Sequence, residues 1–385
     1  MIHSQRLACV AFALCLGAVL FKGCETGERP GRKNQNAPAA DNRGGLKPDD
    51  RAPDSAVIYG ITIEDADNPQ KIVNTLKRIK KETGREVITR IVVDPERDIY
   101  DDKYVKRFEE VSKAGPVMVL VADSHDSYRF NDADGALYER RVRECYERLG
   151  SHVKIWEIGN EVNGEWMNYP RLENEGDDAF DARLSNDLNT KDPAEFERLR
   201  KLTGAQVSRA FRFVNGKGAK TALTLFYNEH LGRKCLPDAP FAGEYEMFNW
   251  VDRHVADPSV RDNLDYVFIS FYEDDCKVSS GKSEEAVKAD ARGFSDAFKR
   301  LSAMFKKADV GFGEFGPRCK GCRGRGKECC VTDQHEFIER YYKKYGPLID
   351  APRYVGGYFY WYGLQDMIPD GRPAVNDLIR AIKKP

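Results

Sequence analysis

Two glutamates stand at the ends of short apolar runs that read as β-strands: Glu161 in Trp156-Glu157-Ile158-Gly159-Asn160-Glu161, and Glu314 in Gly313-Glu314-Phe315-Gly316. Two facing carboxyl groups can divide acid and base work if their surroundings push their pKa values apart. Cleaving a glycosidic bond needs that division. A carboxylic acid protonates the leaving oxygen and a carboxylate lies opposite, about 5–5.5 Å away when it attacks directly. Either glutamate alone reads equally well as half of a structural ion pair; together they point to chemistry. Glu157 shares strand parity with Glu161 one layer deeper, so it is expected to be a buried ion-pair partner. Glu229 ends another apolar run, strand five in the order below, and is not expected to react. Trp361, in Tyr358-Phe359-Tyr360-Trp361-Tyr362, offers a face on which a pyranose ring can stack, with core packing as the alternative. Trp166 and Tyr169 read equally as a neighbouring sugar subsite or as loop packing, and Trp250 reads as core.

These side chains need a scaffold that aims them at one place. From Val57 onward, β-branched runs alternate with helical patterns. The expected strands are Val57–Ile63, Val87–Val93, Val117–Ala122, Val153–Ile158, Thr221–Tyr227, Tyr266–Phe271, Val310–Phe315 and Val355–Trp361. Helices are predicted over Pro69–Glu82, near Lys103–Lys113, over Leu137–Leu149 and Glu195–Val214, near Tyr245–Val255, over Glu284–Phe305, and after each of the last two strands. Glu161 is followed by a long loop. The expected fold class is α/β, a (β/α)8 TIM barrel forming a single domain over residues 56–385. An open doubly wound sheet would usually place a glycine-rich phosphate loop after an early strand, and Gly60-Ile61-Thr62 is not one. In a barrel, functional side chains gather where strands end, and strands four and seven lie across the mouth from each other.

The Asn160-Glu161 close of strand four, Glu314 at strand seven and Trp361 at strand eight together resemble clan A of the glycoside hydrolases. That group includes cellulases, mannanases, β-xylosidases and β-galactosidases. The resemblance covers Val57 to Lys384. It implies a retaining mechanism with Glu161 as acid/base and Glu314 as the nucleophile that forms a glycosyl-enzyme. It also implies that Asn160 bonds the substrate 2-hydroxyl and that Trp361 is the sugar platform. Tyr272 would hydrogen-bond the nucleophile, and Arg90 on strand two would keep it ionised. His125, after strand three, and His230, after strand five, are the candidates for a histidine near the site. Two positions depart from the pattern: Gly159 stands where relatives often carry a bulky residue, and Val162 where proline is common.

Before the barrel, His3 and Arg6 precede an apolar run from Leu7 to Phe21, the layout of a secretory signal over residues 1–24. Cys24 sits where a bacterial lipoprotein would be lipidated, so the exported product is expected to be periplasmic, an outer-membrane lipoprotein tethered through Cys24, or extracellular. Residues 25–55 are nearly free of aliphatic side chains and are read as a disordered linker. With 61 basic and 62 acidic residues the chain has no long-range pull toward nucleic acid. No cofactor and no metal are expected, since no His-x-His follows the first strand. Cys319, Cys322, Cys329 and Cys330 are read as two disulfides in preference to a zinc site, Cys235 and Cys276 as a further bridge, and Cys145 as a buried thiol. Arg318, Lys320, Arg323, Arg325 and Lys327 form a basic rim favouring acidic glycans, or pair with the acidic stretch Glu173, Glu175, Asp177, Asp178 and Asp181. The expected partner is a poly- or oligosaccharide. A transglycosylase would use the same residues, and a carbohydrate-binding pseudoenzyme is the reading from another class.

Overall fold

The computed structural model describes residues 57–64, 66–96, 99–230, 233–234, 236, 239–272, 283–317, 334–361, 363–369 and 371–383. The segments read as signal and linker lie outside the described residues. So do Cys24, Cys235, Cys276, Cys319, Cys322, Cys329, Cys330 and the basic residues Arg318, Lys320, Arg323, Arg325 and Lys327.

Period-two alternation in the strands and period-3.6 patterning between them resolve into eight parallel strands closed as a barrel. They are β1 (Ile58–Glu64), β2 (Ile88–Val92), β3 (Val117–Leu120), β4 (Ile155–Glu157), β5 (Lys220–Phe226), β6 (Tyr266–Tyr272), β7 (Asp309–Gly316) and β8 (Gly356–Tyr360). Each pairs with its neighbour in sequence, and β8 closes on β1. The barrel floor is apolar, built from Met118, Ile155, Ala222, Tyr266, Phe268, Val355 and Phe359. Two residues further along the same strands the inward positions turn polar: Arg90 follows Ile88, Glu157 follows Ile155 and Thr224 follows Ala222. This polar layer carries the site.

Outward strand residues pack on the helices in one large apolar cluster. The first helix shows the sequence logic. Pro69 opens it, Ile72, Val73, Leu76 and Ile79 form its buried face, and Gly84 ends it at φ 68°. Burying each such aliphatic side chain contributes roughly 1.5–3 kcal/mol. Trp250 is fully buried, as expected, and Cys145 is a buried free thiol.

Four features differ from the sequence reading. Strand four is shorter than expected, and Glu161 stands beyond it in a turn at φ 48°. The stretch after it, read as loop, holds a helix over Asp177–Thr190. That helix buries only a thin stripe, Phe180, Leu184 and Leu188, among acidic and polar residues. The signal was present but narrow. Tyr169 packs with Phe180 and Phe196 on this helix layer and is 1% exposed, so it is core and not a sugar subsite. Finally, Glu229 and His230 belong to a separate two-stranded sheet, paired antiparallel with Arg233–Lys234.

Candidate active site

The polar layer begins with Arg90. Its Nε and Nη2 donate to the two carboxylate oxygens of Glu157 at 2.6 and 3.0 Å, and its Nη1 donates to Glu314 Oε2 at 3.3 Å. Both Arg90 and Glu157 are almost fully buried. Glu157 also accepts a short hydrogen bond from the Thr224 hydroxyl. Arg90 is therefore shared, with its fork committed to the deeper glutamate and one nitrogen left for the upper one. Burial works against the guanidinium charge, but Glu157 and Glu314 outweigh it and hold the pKa above its ordinary value.

Glu314 and Glu161 sit above this pair and are 5% and 7% exposed. Glu314 receives Arg90, the Asn160 amide at 3.2 Å and the Tyr272 hydroxyl. Among the described residues, Glu161 receives hydroxyls: Ser124 at 2.9 Å and Ser270 at 2.6 Å. Ser270 and Tyr272 are two residues apart on β6 and so face the same way, each holding one glutamate. Asn160, the residue before Glu161, donates to Glu314, and Glu161 feels the charge of Glu314, so the two carboxyl groups are neighbours.

Their surroundings differ. Burial, the charge of Glu314 and Asp123 raise Glu161 well above the usual carboxylate range, and its two hydroxyl donors counter this only in part. Glu314 is pushed up to about 7 by burial, with Arg90 and Tyr272 pulling it down against Asp123 and Glu157. The group with the cationic partner is thus the easier of the two to ionise.

Local geometry explains how Glu161 reaches the pair. Past β4 the chain keeps hydrogen-bonding to β5, through Ile158 N to Ala222 O at 2.8 Å and Thr224 N to Gly159 O at 2.9 Å. Asn163 locks the turn by donating to the carbonyls of Phe226 and Tyr245 and accepting from Phe226 N. Positive φ in a non-glycine residue costs about 1–3 kcal/mol, and such strain gathers at functional positions. Asn160 carries a second cost. Its Oδ1 is buried with no hydrogen-bond partner among the described residues, about 1–3 kcal/mol for a neutral acceptor.

The remaining predicted residues fall in two groups. Trp361 is half-buried at the end of β8, with the Arg90 guanidinium 5.9 Å from its ring. His125 and Trp166 are brought together, their rings stacked at 5.4 Å and 4°, and Trp166 also meets Phe226 edge-on. They adjoin Ser124, hence the acid side. The His230 side chain lies outside the described residues. Ser124 and Ser270 were not singled out in the sequence. Ser270 was accessible by parity, two residues before Tyr272 on one strand; Ser124 lies beyond strand three and has no comparable signal.

Solved structures with this architecture include two informative neighbours. A GH5-4 broad specificity endoglucanase from an uncultured bacterium aligns with TM-score 0.51 and 15% identity over 86% of this chain and 95% of that one. A family 1 β-glucosidase from Thermotoga maritima aligns with TM-score 0.50 and 11% identity over 86% and 98%. The fold is that of the clan A glycoside hydrolases. At such identities the likeness is one of fold. No protein-family model matches the sequence, and no curated protein does.

Within this barrel the two departures compensate each other. A Cβ added to Gly159 would stand 2.6 Å from Val162 Cγ1 and 3.3 Å from Leu223 and Val207. Val162 fills the space that a larger residue at 159 would take. The acidic stretch after β4 is also accounted for locally. Glu175 pairs with Arg183 at 2.7 Å and Asp177 with Arg171 at 2.8 Å.

Proposed function

We propose that this chain is a retaining glycoside hydrolase that cleaves O-glycosidic bonds in a β-linked poly- or oligosaccharide. The observation that carries this reading is the pair of buried carboxyl groups with unlike partners, Glu161 among hydroxyls and Glu314 against Arg90, Asn160 and Tyr272. Glu161 donates its proton to the glycosidic oxygen as that bond breaks, and Glu314 attacks the anomeric carbon to form a glycosyl ester. Glu161, now ionised, takes a proton from water, which hydrolyses the ester and frees Glu314. Trp361 supplies the face against which the sugar stacks. The β-linkage is supported by the neighbours' names, a β-glucosidase and an endoglucanase. Residues 1–24 direct export, supported by the apolar run Leu7–Phe21, with lipidated Cys24 as the proposed anchor.

A panel of aryl glycosides and β-glycans, run with wild type, Glu161→Gln and Glu314→Gln, tests the assignment. Glu314→Gln is expected to lose nearly all turnover. Glu161→Gln is expected to retain turnover on substrates whose leaving group needs no proton and to gain rate with added azide. Wild-type rates in both variants would contradict the proposal, and a wild type inert on every glycoside would favour a binding protein.

A further inference from the structure

Each carboxyl oxygen of Glu161 has one serine. Ser270 Oγ donates to Oε1 at 2.6 Å and Ser124 Oγ donates to Oε2 at 2.9 Å. The two serines are 0% and 2% exposed, and among the described residues neither hydroxyl bonds any other group. Serine hydroxyls commonly turn back to a nearby backbone carbonyl, as Ser295 does to Ala291 O at 2.7 Å and Ser112 to Glu109 O at 2.9 Å. Ser124 and Ser270 instead reach a side chain that is distant in sequence.

Both hydroxyls are fixed by their own elements. Pairing between β6 and β7 slips by one residue after Ile269, so Ser270 aligns with Glu314 and not with Gly313. One serine is thus bonded to Glu161 and is the strand partner of Glu314. Ser124 opens the turn Ser124–Phe130, which Asp123 caps by accepting from His125 N at 3.0 Å. That turn is tied to the stretch after Glu161: Asn168 N donates to Ser127 Oγ at 2.8 Å, and Asn131 Nδ2 donates to Asn168 O at 2.6 Å. A hydroxyl rotates and carries one donor and two lone pairs, so it can donate to a carboxylate and accept from a carboxylic acid. A cation would favour the ionised form alone. Neutral hydroxyls suit a group that holds a proton in one half of a cycle and gives it up in the other.

Resting on the glycosidase reading, we propose that Ser124 and Ser270 are positioning residues that keep the Glu161 carboxyl aimed in both of its charge states. In the first half of the reaction the Glu161 proton passes to the glycosidic oxygen as that oxygen leaves the anomeric carbon. Both hydroxyls then donate to the carboxylate that remains. In the second half a water proton returns to Glu161 while the water oxygen bonds the anomeric carbon and the ester bond to Glu314 breaks. The serines themselves neither lose nor gain a proton.

The test compares Ser124→Ala, Ser270→Ala and the double variant with wild type on alkyl and dinitrophenyl β-glycosides. On the alkyl glycoside kcat/KM is expected to fall about tenfold for each serine. On the dinitrophenyl glycoside, whose leaving group needs no proton, kcat/KM should hold while kcat falls, because the attack of water still needs Glu161. The two hydroxyls draw the Glu161 pKa down against burial. Their loss leaves the acid protonated to higher pH, so the alkaline limb of kcat/KM should move up by about one pH unit for each. Ser124→Thr keeps the hydroxyl and should restore rate and limb. In a Glu161→Gln background the serine changes should add little to the loss, since they act through that carboxyl. Folded alanine variants with wild-type pH limbs and leaving-group dependence would overturn the serine assignment while leaving the glycosidase intact. So would losses that multiply in full onto Glu161→Gln. Hydrolysis of no glycoside by folded wild type would overturn both.

Discussion

Glu161 combines three costs in one residue: burial, a like-charged neighbour and a positive φ. A carboxyl whose pKa is raised by folding contributes stability that is fully present below the unfolded value of about 4.3 and is lost as pH rises through the folded value. Both Glu161 and Glu314 are of this kind, so the barrel is expected to lose stability from about pH 4.5 upward through 7 on their account. Glu161→Gln removes the ionisation. Its melting temperature should exceed that of wild type by a few degrees at pH 8, and the gap should narrow at pH 4.5. Calorimetry at the two pH values checks this; an unchanged gap would mean Glu161 is not titrating in a buried site. Activity should follow the same groups. In the proposed mechanism turnover needs Glu314 ionised and Glu161 protonated, so kcat/KM should rise through about pH 7 and fall at higher pH as Glu161 loses its proton. Arg90 offers a different test. Arg90→Met leaves Glu157 buried without its cation, a loss of about 3–5 kcal/mol in denaturant unfolding, and Arg90→Met with Glu157→Met should recover part of it.

Among the elements, the turn after β4 decides where the proton donor stands. Gly159 and Val162 form one packing unit there, and Gly159→Ala is expected to cost about 1–3 kcal/mol through overpacking. Val162→Ala in the same chain should relieve most of that cost, which a denaturation cycle over the four proteins measures. Strands were the most legible elements because alternation and β-branched runs mark them directly; all eight expected strands are present with ends shifted by a few residues. Glu157 was legible because strand parity with Glu161 fixes which way its side chain points, Glu314 through its type and its place at a strand end, and Arg90 and Tyr272 only through the resemblance. Glu161 was found by type and spacing, but its left-handed backbone was not, since nothing in Gly-Asn-Glu-Val demands it. Ser124 escaped because it lies past strand three, in a turn whose course depends on tertiary contacts. The helix Asp177–Thr190 escaped because its buried stripe is one residue wide, stabilised by packing with Tyr169 and not by broad amphipathicity.

At the scale of the whole molecule, the barrel separates tasks by depth. An apolar floor supplies stability, a buried Arg90–Glu157 pair lies above it, and Glu161 and Glu314 sit on top at the strand ends. Separation of this kind lets the upper layer hold strain and an unpaired acceptor without loosening the fold, since the apolar floor and the strand–helix layer pack below and around it. The net charge of −1 hides an uneven distribution, with carboxylates gathered at the mouth beside β1 to β4. The most direct measurement of the central claim is the anomeric configuration of the first product, followed by proton NMR during hydrolysis of a β-glycoside. Attack by Glu314 and then by water inverts the anomeric carbon twice, so the β-anomer should appear first and mutarotate later. Initial release of the α-anomer would contradict a covalent role for Glu314 and the assignment of this pair.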